Sequence, residues 1–486
     1  MRRAESEFKI KVKRLHGHYM SLLHNIQNIY FIGIGGIGMS ALARFAKLKG
    51  LDVYGYDKTK TLLTEVLTSE GIKITYTDAA SEIPEHIRYP EKTLVVYTPA
   101  VPKNSNLLQW FNSKNYKVVK RSQLLGDVTK HTLCLAVAGT HGKTTTSAIL
   151  GHLLASCEMP VTAFLGGIAE NYNSNFISKG TEITVVEADE FDRSFLTLSP
   201  DIACVTSMDA DHLDIYGDAH AIEESFKAFA NLVEKPKNLL VKKGLLIEGE
   251  TVAIEESAAY EAQNVRIENG AYIFDLKTPQ ELLKDLQFYL PGHHNLHNAI
   301  TALGMAILAG SPTDCLPRAL ASFKGVDRRF SYRIRHDDLV LIDDYAHHPT
   351  EIDALFQAVS EMYPADRKVI VFQPHLFSRT RDFAQGFAES LARFDEILLL
   401  DIYPAREEPI EGISSGWLLD MINECLVERP PERSRAGSRN LSGAAKLIAK
   451  SEIISALKKS NCRVKLLVGA GDIGAEVKHI TNALQL

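Results

Sequence analysis

A glycine-rich segment that contains a lysine, Gly139 to Thr146, has the residue types needed to bind phosphates. It follows an apolar run, residues 133–138, which we expect to be a buried strand, and it precedes residues expected to form a helix. Backbone N–H groups at such a turn hold phosphate oxygens, Lys143 can neutralise them, and the hydroxyl of Thr144 can reach Mg²⁺. Two residues separate the glycines instead of the usual four, so the pattern predicts a compact P-loop. The alternative is a glycine turn with a surface lysine.

Another glycine-rich turn, Gly33 to Gly38, has the pattern G-x-G-x-x-G. Because it comes first in the chain, we call it the first glycine motif. An apolar strand is predicted before it over Ile29 to Ile34, a helix is predicted after it, and Asp57 ends the next predicted strand. Glycines allow a tight turn and a close approach of the backbone to a diphosphate, which binds at the helix N-terminus. These residues favour a dinucleotide such as NAD, and they leave open another diphosphate or a tight turn without a ligand.

Two acidic clusters follow predicted strands in the same region as the P-loop. Residues 187–190 are Glu-Ala-Asp-Glu and come after a predicted strand, and residues 209–212 are Asp-Ala-Asp-His and come after another. Mg²⁺ takes oxygen ligands and must bridge ATP and an acceptor in phosphoryl transfer. Either cluster alone is more often a solvated loop. Both together, after a Gly-Lys-Thr turn, favour phosphoryl transfer.

Two groups of histidines have the spacing of metal ligands. His293 and His297 are four residues apart, where a helix is predicted from Asn295 onward, and His347 and His348 follow Asp344. Zinc sites use histidines at such spacings, but the chain has no H-E-x-x-H segment and no cysteine close to either group. We therefore prefer polar contacts to a nucleotide or substrate over zinc.

The composition is that of a globular, weakly acidic protein. Its 486 residues are 45% hydrophobic and 23% charged, with a formal net charge of −6 at pH 7 and a pI near 6.3. This charge argues against a general nucleic-acid or anionic-membrane surface, and the longest apolar stretch is too short to span a membrane. The six cysteines are far apart and form no C-x-x-C pair. They fit neither a disulfide scaffold nor a zinc ribbon, and they favour a reducing cytoplasm.

Strands and helices alternate along the chain in a pattern that predicts three α/β domains. Residues 1–19 form a basic extension without the apolar core of a signal peptide. The first glycine motif predicts an N-terminal Rossmann-like domain over residues 20–127. The P-loop predicts a central domain with a P-loop ATPase-type parallel sheet over residues 128–325. Further strands and helices predict a C-terminal Rossmann-like α/β domain over residues 326–486, with an exposed loop at residues 429–442.

Taken together, the motifs resemble those of the Mur ligase family, in the same order from about residue 28 to residue 474. The combination is far more specific than any one motif. The motifs are GIGGIGM (33–39), AGTHGKTTT (138–146), EADEFD (187–192), DADHLD (209–214), HNLHN (294–298), GVDRRF (325–330) and DDYAHHP (343–349). The run from Glu187 to Ser194 resembles the alanine-adding branch of the family more than its tripeptide-recycling branch.

The resemblance implies that the first glycine motif binds the UDP part of a substrate instead of NAD. The residues implied for UDP are Gly33, Gly35, Gly36, Ile37, Gly38 and Asp57. Those implied for ATP are Gly139, Thr140, His141, Gly142, Lys143, Thr144, Thr145, Asn295, Asn298, Arg329 and Asp344. Those implied for two Mg²⁺ ions are Thr144, Glu187 and His212, and those for the amino acid are Tyr345, His347 and Arg379. The residues implied in catalysis are Lys143, Glu187, His212, Arg329, Asp344 and His347.

The resemblance also implies an ATP-dependent ligase that forms an amide bond in peptidoglycan synthesis. ATP would phosphorylate the lactyl carboxylate of UDP-N-acetylmuramate, and the amine of L-alanine would attack the acyl phosphate, with release of ADP and phosphate. Such an enzyme is cytoplasmic, serves cell shape and division, and is expected as a monomer or homodimer without nucleic-acid or membrane partners. The alternatives are a tripeptide-recycling ligase of the same family, a dehydrogenase and a nucleotide-binding switch without chemistry.

Two residues depart from the family pattern. Leu376 stands where some relatives have a second basic residue, so recognition of the amino acid depends more on Arg379. Sister ligases also use a carbamylated lysine to orient magnesium, and Lys227 is the one lysine at a similar distance past His212. The alanine-adding branch is expected to work without it.

Overall fold

The computed structural model describes residues 22–209, 219–268, 270–405, 407–427 and 445–485. The chain divides into two compact units, which we describe separately. The first extends to residue 289 and includes residues 297–324, and the second consists of residues 290–296 together with the chain from residue 325 onward.

The N-terminal sheet of the first unit has five parallel strands in the order β3-β2-β1-β4-β5. Its strands are β1 (Asn28–Ile32), β2 (Asp52–Tyr56), β3 (Lys73–Thr75), β4 (Thr93–Tyr97) and β5 (Lys117–Lys120). Its helices are α1 (Ile37–Leu48), α2 (Leu62–Ser69), α3 (Asn106–Ser113) and α4 (Arg121–Thr129). All five residues of β1 are buried, as expected for the central strand of a parallel sheet that is covered on both faces. The Rossmann-like N-terminal fold is therefore confirmed.

The second sheet of this unit has ten strands in the order β15-β14-β13-β12-β11-β10-β6-β9-β7-β8. The strands are β6 (Leu133–Ala138), β7 (Val161–Ala169), β8 (Ser174–Ser178), β9 (Ile183–Glu187), β10 (Ile202–Val205), β11 (Leu239–Lys242), β12 (Glu250–Ile254), β13 (Tyr260–Glu268), β14 (Ala271–Lys277) and β15 (Leu282–Phe288). The centre of the sheet is parallel, as predicted, but three pairs are antiparallel: β7 with β8, β13 with β14, and β14 with β15. Short turns join these neighbours, and a parallel pair needs a longer crossover.

The helices beside this sheet are α5 (Lys143–Ser156), α6 (Ala219–Ala230), α7 (His293–Leu308) and α8 (Leu316–Ala321). The two sheets of the first unit share one apolar core, in which the rings of Phe45 on α1 and Phe164 on β7 have their centroids 5.4 Å apart. The fully buried amide of Asn175 on β8 donates to the Ile37 carbonyl and, at 2.9 Å, to the Ser40 hydroxyl. The helix that follows the first glycine motif is therefore held by the second sheet.

The second unit contains a six-stranded sheet in the order β16-β17-β21-β18-β19-β20, parallel except for β16 with β17. Its strands are β16 (Ser331–Arg335), β17 (Val340–Asp344), β18 (Lys368–Phe372), β19 (Glu396–Leu399), β20 (Ala445–Leu447) and β21 (Val464–Val468). Its helices are α9 (Pro349–Met362), α10 (Phe377–Asp382), α11 (Ala384–Leu391), α12 (Ser415–Val427), α13 (Ile453–Lys459) and α14 (Ile473–Gln485). Apolar clusters cover both faces of the sheet.

A disulfide joins Cys157, directly after α5, to Cys315, directly before α8. The two residues are 158 positions apart in the sequence. One disulfide does not make a disulfide scaffold, but this pair runs against the interpretation of the cysteines as typical of a reducing compartment. Spacing in the sequence does not show which distant cysteines meet in the fold. In the described part of the chain, no helix is long and apolar enough to cross a membrane. The predicted basic extension (1–19) and the predicted exposed loop (429–442) lie outside the described residues.

Candidate active site

The first glycine motif forms the turn between β1 and α1. The Gly35 N–H donates to Asp57 Oδ2 at 2.7 Å, so the carboxylate at the end of β2 closes the turn. Gly33 has φ +86°, a conformation that favours glycine. A Cβ on Gly36 would meet no heavy atom closer than 3.5 Å, which leaves space beside the loop. The structure thus brings the residues predicted for UDP into one loop at the N-terminus of α1.

Arg121, which none of the sequence motifs contains, lies between this loop and Asp189 of the central domain. A Cβ on Gly38 would lie 2.9 Å from Arg121 Nη1, and Arg121 Nη2 lies 3.3 Å from Asp189 Oδ2. Arg121, Glu187 and Asp189 line the same cleft, together with Ser122, Leu125, Ser194, Phe195, Thr197 and Leu198. Its sequence surroundings carry no motif that marks it, so the contacts across the fold identify it.

The P-loop lies between β6 and α5 and is held by residues that follow β10. Gly142 has φ +86° and directly precedes α5. The Ser207 hydroxyl accepts from the His141 N–H at 2.8 Å, and His141 Nε2 lies 3.4 Å from Asp209 Oδ2. The Asn298 amide stands beside the loop, because its Oδ1 would lie 2.6 Å from a Cβ on Gly142.

Lys143 is not a surface lysine, since its side chain is only 17% exposed. The ammonium lies 2.8 Å from both carboxylate oxygens of Glu190 and donates to the Gly139 carbonyl at 2.6 Å. Burial alone would lower the pKa of Lys143, but the carboxylates of Glu190, Asp189 and Glu187 outweigh it and raise that pKa. The lysine is therefore a fixed positive charge in the loop.

Glu187, at the end of β9, lies beside the first turn of α5. The Thr144 hydroxyl donates to its Oε2 at 3.1 Å, and the Ser147 hydroxyl donates to its Oε1 at 3.0 Å. Burial raises the pKa of Glu187, against its contacts with the Gly166 N–H and the charge of Lys143. The structure places Thr144 and Glu187 together, whereas His212 lies outside the described residues.

The donor set around Glu187 fits Mg²⁺ better than zinc. It consists of hydroxyl and carboxylate oxygens, the ligands that magnesium takes. Among the described residues, no group of three His, Cys, Asp or Glu side chains could hold a metal alone. Magnesium commonly uses one or two protein carboxylates and completes its shell with phosphates and water. Thr144 and Glu187 could therefore hold a magnesium ion together with bound ATP.

In the second unit, Arg329, Tyr345 and Glu351 form one polar cluster. The Arg329 guanidinium lies 5.0 Å from the centre of the Tyr345 ring, a cation–π contact. Arg329 Nη1 lies 3.8 Å from Glu351 Oε1. Arg328 stacks on Tyr345 as well, at 5.2 Å, and its carbonyl accepts from the Tyr345 N–H at 2.7 Å. Two residues predicted for different ligands, ATP and the amino acid, are therefore neighbours.

His347 and Arg379 belong to the same side of this unit. His347 Nδ1 lies 3.0 Å from the Tyr345 carbonyl oxygen, and the backbone N–H of His347 donates to the Glu351 carboxylate. Burial lowers the pKa of His347, against the charge of Glu351, which favours a neutral imidazole. The rings of His347 and His375 have their centroids 6.1 Å apart, and Arg379 Nη1 lies 3.4 Å from His375 Nδ1. The predicted amino-acid residues thus converge, and His375 joins them.

Leu376, the residue that departs from the family pattern, has φ +71°. This conformation is rare for a residue with a side chain, and strain of this kind is typical of functional sites. The Leu376 N–H donates to the Tyr403 carbonyl at 2.9 Å, which holds the strained backbone in place. The segment therefore carries His375 and Arg379 on either side of a strained turn.

Asp344 ends β17 and organises the loop around it. One carboxylate oxygen accepts from the Phe330 N–H at 2.7 Å, and the other accepts from the Ala346 N–H at 2.8 Å. Burial raises the pKa of Asp344 to about 6, against the charge of Arg329 and the two N–H groups. Asp344 thus fixes the backbone directly after Arg329 and directly after Tyr345.

The remaining predicted polar residues have mainly local partners. The Asn295 amide donates to the Pro291 carbonyl at 2.7 Å. His297 Nε2 bonds to the Val252 carbonyl at 3.2 Å, and burial lowers its pKa to about 4, so it is a neutral structural residue. His293 Nε2 lies 3.8 Å from Glu361. Lys227 bonds to Glu223 and Glu224, which raise its pKa and disfavour the neutral amine that carbamylation requires.

Comparisons with known proteins identify the family of this chain. Three family models match the chain in order. They are described as Mur ligase family, catalytic domain (residues 28–132), Mur ligase middle domain (137–306) and Mur ligase, glutamate ligase domain (328–448). The chain belongs to the Mur ligase family. The predicted family and the three-domain α/β fold are therefore confirmed.

Relatives within the Mur ligase family are similar over nearly the whole chain. The protein named UDP-N-acetylmuramate–L-alanine ligase from Flavobacterium psychrophilum is 58% identical over 462 residues, 95% of this chain and 99% of the relative. The protein of the same name from Christiangramia forsetii is 57% identical over 466 residues, 96% of this chain and 99% of the relative.

A solved Mur ligase structure has a similar fold. The crystal structure of UDP-N-acetylmuramate-alanine ligase from Thermotoga maritima matches with a TM-score of 0.78 at 27% identity, covering 94% of this chain and 99% of that one. A murein peptide ligase from Psychrobacter arcticus matches with a TM-score of 0.65 at 20% identity, covering 94% of this chain and 98% of that one, and supports the fold alone.

Proposed function

We propose that this protein joins L-alanine to the lactyl carboxylate of UDP-N-acetylmuramate, using ATP, in peptidoglycan synthesis. The observation that carries the proposal is the convergence of Lys143, Thr144 and Glu187 on one P-loop, in a chain 55–58% identical to relatives that bear the name of this ligase. A P-loop supplies phosphoryl transfer, and the names of the relatives supply the acceptor and the amino acid.

Lys143 and Thr144 act at the phosphates in the first step. The lactyl carboxylate oxygen attacks the γ-phosphorus, the bond to the β-phosphate oxygen breaks, and ADP leaves. Two anions meet in this step, so the positive charge of Lys143 stabilises the transition state more than the ground state. Thr144 and Glu187 would hold Mg²⁺, which supplies further charge neutralisation for the phosphates. We propose His212 as a ligand of a second ion.

The amino-acid end belongs to the second unit in this proposal. The Arg379 guanidinium binds the alanine carboxylate, with a fork that matches its two oxygens, and Tyr345 and His347 complete that site. The neutral alanine amine forms a bond to the carbonyl carbon of the acyl phosphate, phosphate leaves, and the nitrogen loses a proton to give the amide. Asn295, Asn298, Arg329 and Asp344 are proposed contacts of ATP, as are the backbone and side chains of residues 139–145.

The first glycine loop is proposed to bind the uridine diphosphate of the substrate. Gly36 leaves space for the backbone to approach a diphosphate, and the N-terminus of α1 favours its negative charge. We propose Gly33, Gly35, Gly36, Ile37, Gly38 and Asp57 for this role. Arg121, which lies beside Gly38 in the same cleft as Glu187, is a further cation that would face the bound substrate.

The wider setting follows from this activity. We propose a cytoplasmic enzyme that serves cell-wall growth, cell shape and division, working as a monomer or homodimer. We also retain the domain limits of 20–127, 128–325 and 326–486 as part of the proposal.

ADP release tests this function directly. The full-length protein is incubated with ATP, Mg²⁺ and UDP-N-acetylmuramate, together with L-alanine, glycine, L-serine or a cell-wall tripeptide. We expect release with L-alanine at the lowest concentration and a product heavier by one alanine residue. Release with the tripeptide alone would identify the recycling ligase. At most one ADP per enzyme is expected without an amino acid, from acyl-phosphate formation, and release over many turnovers without any amino acid would contradict amide formation.

A further inference from the structure

A second G-x-G-x-x-G segment, Gly469 to Gly474, has no role in the mechanism above. It follows β21 and leads into α14, the same strand-turn-helix arrangement as the first glycine motif. Such a loop commonly lets a backbone approach the diphosphate of a dinucleotide. The segment therefore looks like a second nucleotide site, and its surroundings decide whether it is one.

Side chains of the protein itself fill this loop. Gln373, which is buried, donates through Nε2 to Asp472 Oδ1 at 2.7 Å and accepts from the Ile473 N–H at 2.8 Å. A Cβ on Gly471 would lie 2.4 Å from Gln373 Oε1, and a Cβ on Gly474 would lie 2.2 Å from Arg328 Nη1. The glycines therefore make room for Gln373 and Arg328, at the place where a diphosphate would otherwise sit.

The Arg328 guanidinium also donates to the carbonyl of Gly469. Gly469 has φ +144°, and a Cβ there would lie 2.7 Å from the Gln373 carbonyl oxygen. The Gln373 N–H donates to the carbonyl of Val468, the residue directly before the loop, at 2.9 Å. The backbone of Gln373 is therefore bonded to the start of the loop, and its side chain is bonded within it. Two segments distant in sequence are therefore fixed to one glycine turn.

Both of these segments lead directly into the amino-acid site. Arg328 precedes Arg329, and both guanidinium groups stack on the Tyr345 ring, at 5.2 and 5.0 Å. Gln373 lies two residues before His375, whose ring stacks on Tyr403 with centroids 5.8 Å apart. Any movement of the glycine turn would shift the cations and rings on both sides of the proposed alanine site.

We propose that Gly469 to Gly474 is an internal clamp, and that Arg328 and Gln373 are positioning residues for the amino-acid site. The proposal rests on the proposed alanine-ligating function. The clamp does not touch substrate. It holds Arg329 and Tyr345 through Arg328, and His375 and Arg379 through Gln373.

The Gly474→Ala variant of the full-length protein tests the clamp. The added methyl group meets the far end of a flexible side chain, so it displaces the Arg328 guanidinium and not the backbone. Because small misplacements of binding groups are costly, we expect the KM for L-alanine to rise about ten- to a hundredfold. The KM for UDP-N-acetylmuramate should stay within about twofold, since that site lies on another domain. Gly416→Ala is the matched control, because its nearest contact would be at 3.6 Å.

A double-mutant cycle shows whether the glycine acts through Arg328. If it does, adding Gly474→Ala to Arg328→Ala should change the KM for L-alanine little further. If the two substitutions instead raise the KM for L-alanine independently, so that their fold-changes multiply in the double variant, the clamp is overturned. An unchanged KM for L-alanine in Gly474→Ala would also overturn it. If the wild-type protein binds NAD and Gly474→Ala abolishes that binding, the segment is a dinucleotide site instead. A wild-type protein without L-alanine-dependent ADP release would contradict the proposed function, an outcome distinct from failure of the clamp.

Discussion

The ammonium of Lys143 lies 2.8 Å from both carboxylate oxygens of Glu190, a residue only 3% exposed. Breaking a buried ion pair by removing one partner leaves the other charge without compensation. Phosphate oxygens must also compete with Glu190 for this ammonium. The pair therefore links the stability of the P-loop to its chemistry.

This pair predicts that Lys143→Ala loses both activity and stability. We expect turnover to fall about a thousandfold, since about 4 kcal/mol of transition-state stabilisation is removed. The free energy of unfolding should fall by about 3–5 kcal/mol, because the buried Glu190 carboxylate loses its ion pair with Lys143. ADP release and denaturant unfolding measure the two effects.

The double variant Lys143→Ala/Glu190→Gln separates the loss of activity from the loss of stability. It should regain most of the stability without regaining activity, because the buried charge is gone and the phosphates still lack the ammonium. Lys237→Ala, at an exposed position of the same unit, is the matched control. Near wild-type ADP release from either Lys143 variant would refute the ATP assignment.

Gly36→Ala should weaken binding of the uridine substrate without disturbing the fold. An added Cβ meets nothing closer than 3.5 Å, and the backbone at φ −66° accepts alanine. We expect the KM for UDP-N-acetylmuramate to rise about tenfold, equivalent to about 1.4 kcal/mol, with an unchanged melting temperature. Gly35→Ala should lower the melting temperature as well, since its Cβ would lie 2.8 Å from Asp57 Oδ2. An unchanged KM in Gly36→Ala would exclude this loop from the diphosphate site.

Arg379→Ala should raise the KM for L-alanine while acyl-phosphate formation without alanine continues. Loss of a buried partner of a carboxylate costs about 2–5 kcal/mol, so we expect a rise of about thirtyfold or more. Arg379→Lys should restore little, because an ammonium lacks the planar fork. Arg381→Ala, on the exposed side of the same helix, serves as the control. Equal effects of the two alanine variants would argue against the carboxylate role.

Asp344 gives the stability a pH dependence of known sign. Burial raises its pKa from 3.8 to about 6, so between these values the folded protein binds more protons at this site than the unfolded chain. This contribution to the free energy of unfolding is present below pH 3.8 and is lost as the pH rises through about 6. The advantage of the wild type over Asp344→Asn should therefore shrink with rising pH, as measured by denaturant unfolding. A difference that stays constant or grows would contradict the raised pKa.

The disulfide predicts a redox-dependent stability. A bond between residues far apart in sequence typically contributes about 2–4 kcal/mol, so a reductant should lower the melting temperature of the wild-type protein. The Cys157→Ser/Cys315→Ser variant should melt at the same temperature with and without reductant. Alkylation of both thiols in the unreduced, denatured protein would show that the bond is absent.

The local parts of the site were predictable from the sequence alone. Strand β6 has the bounds of the apolar run 133–138 that predicts it, and α1 begins at the end of the first glycine motif, where a helix is predicted. Each glycine motif is a strand, a turn and a helix that are continuous in sequence, so local backbone preferences and apolar periodicity are sufficient to predict it. The placement of Glu187 directly after a strand follows for the same reason.

The partners across the fold needed the tertiary structure. Lys143 and Glu190 are 47 residues apart, Arg121 and Asp189 are 68 apart, and Cys157 and Cys315 are 158 apart. The segment Gly469 to Gly474 shows the difference most clearly, because it has the G-x-G-x-x-G pattern of a diphosphate loop while Arg328 and Gln373 fill it. The sequence by itself determined the family, the strand-turn-helix motifs and the residue types that bind phosphate. Strand order and side-chain packing decided which distant groups meet, since local preferences carry no information about contacts that form only when the sheets are assembled.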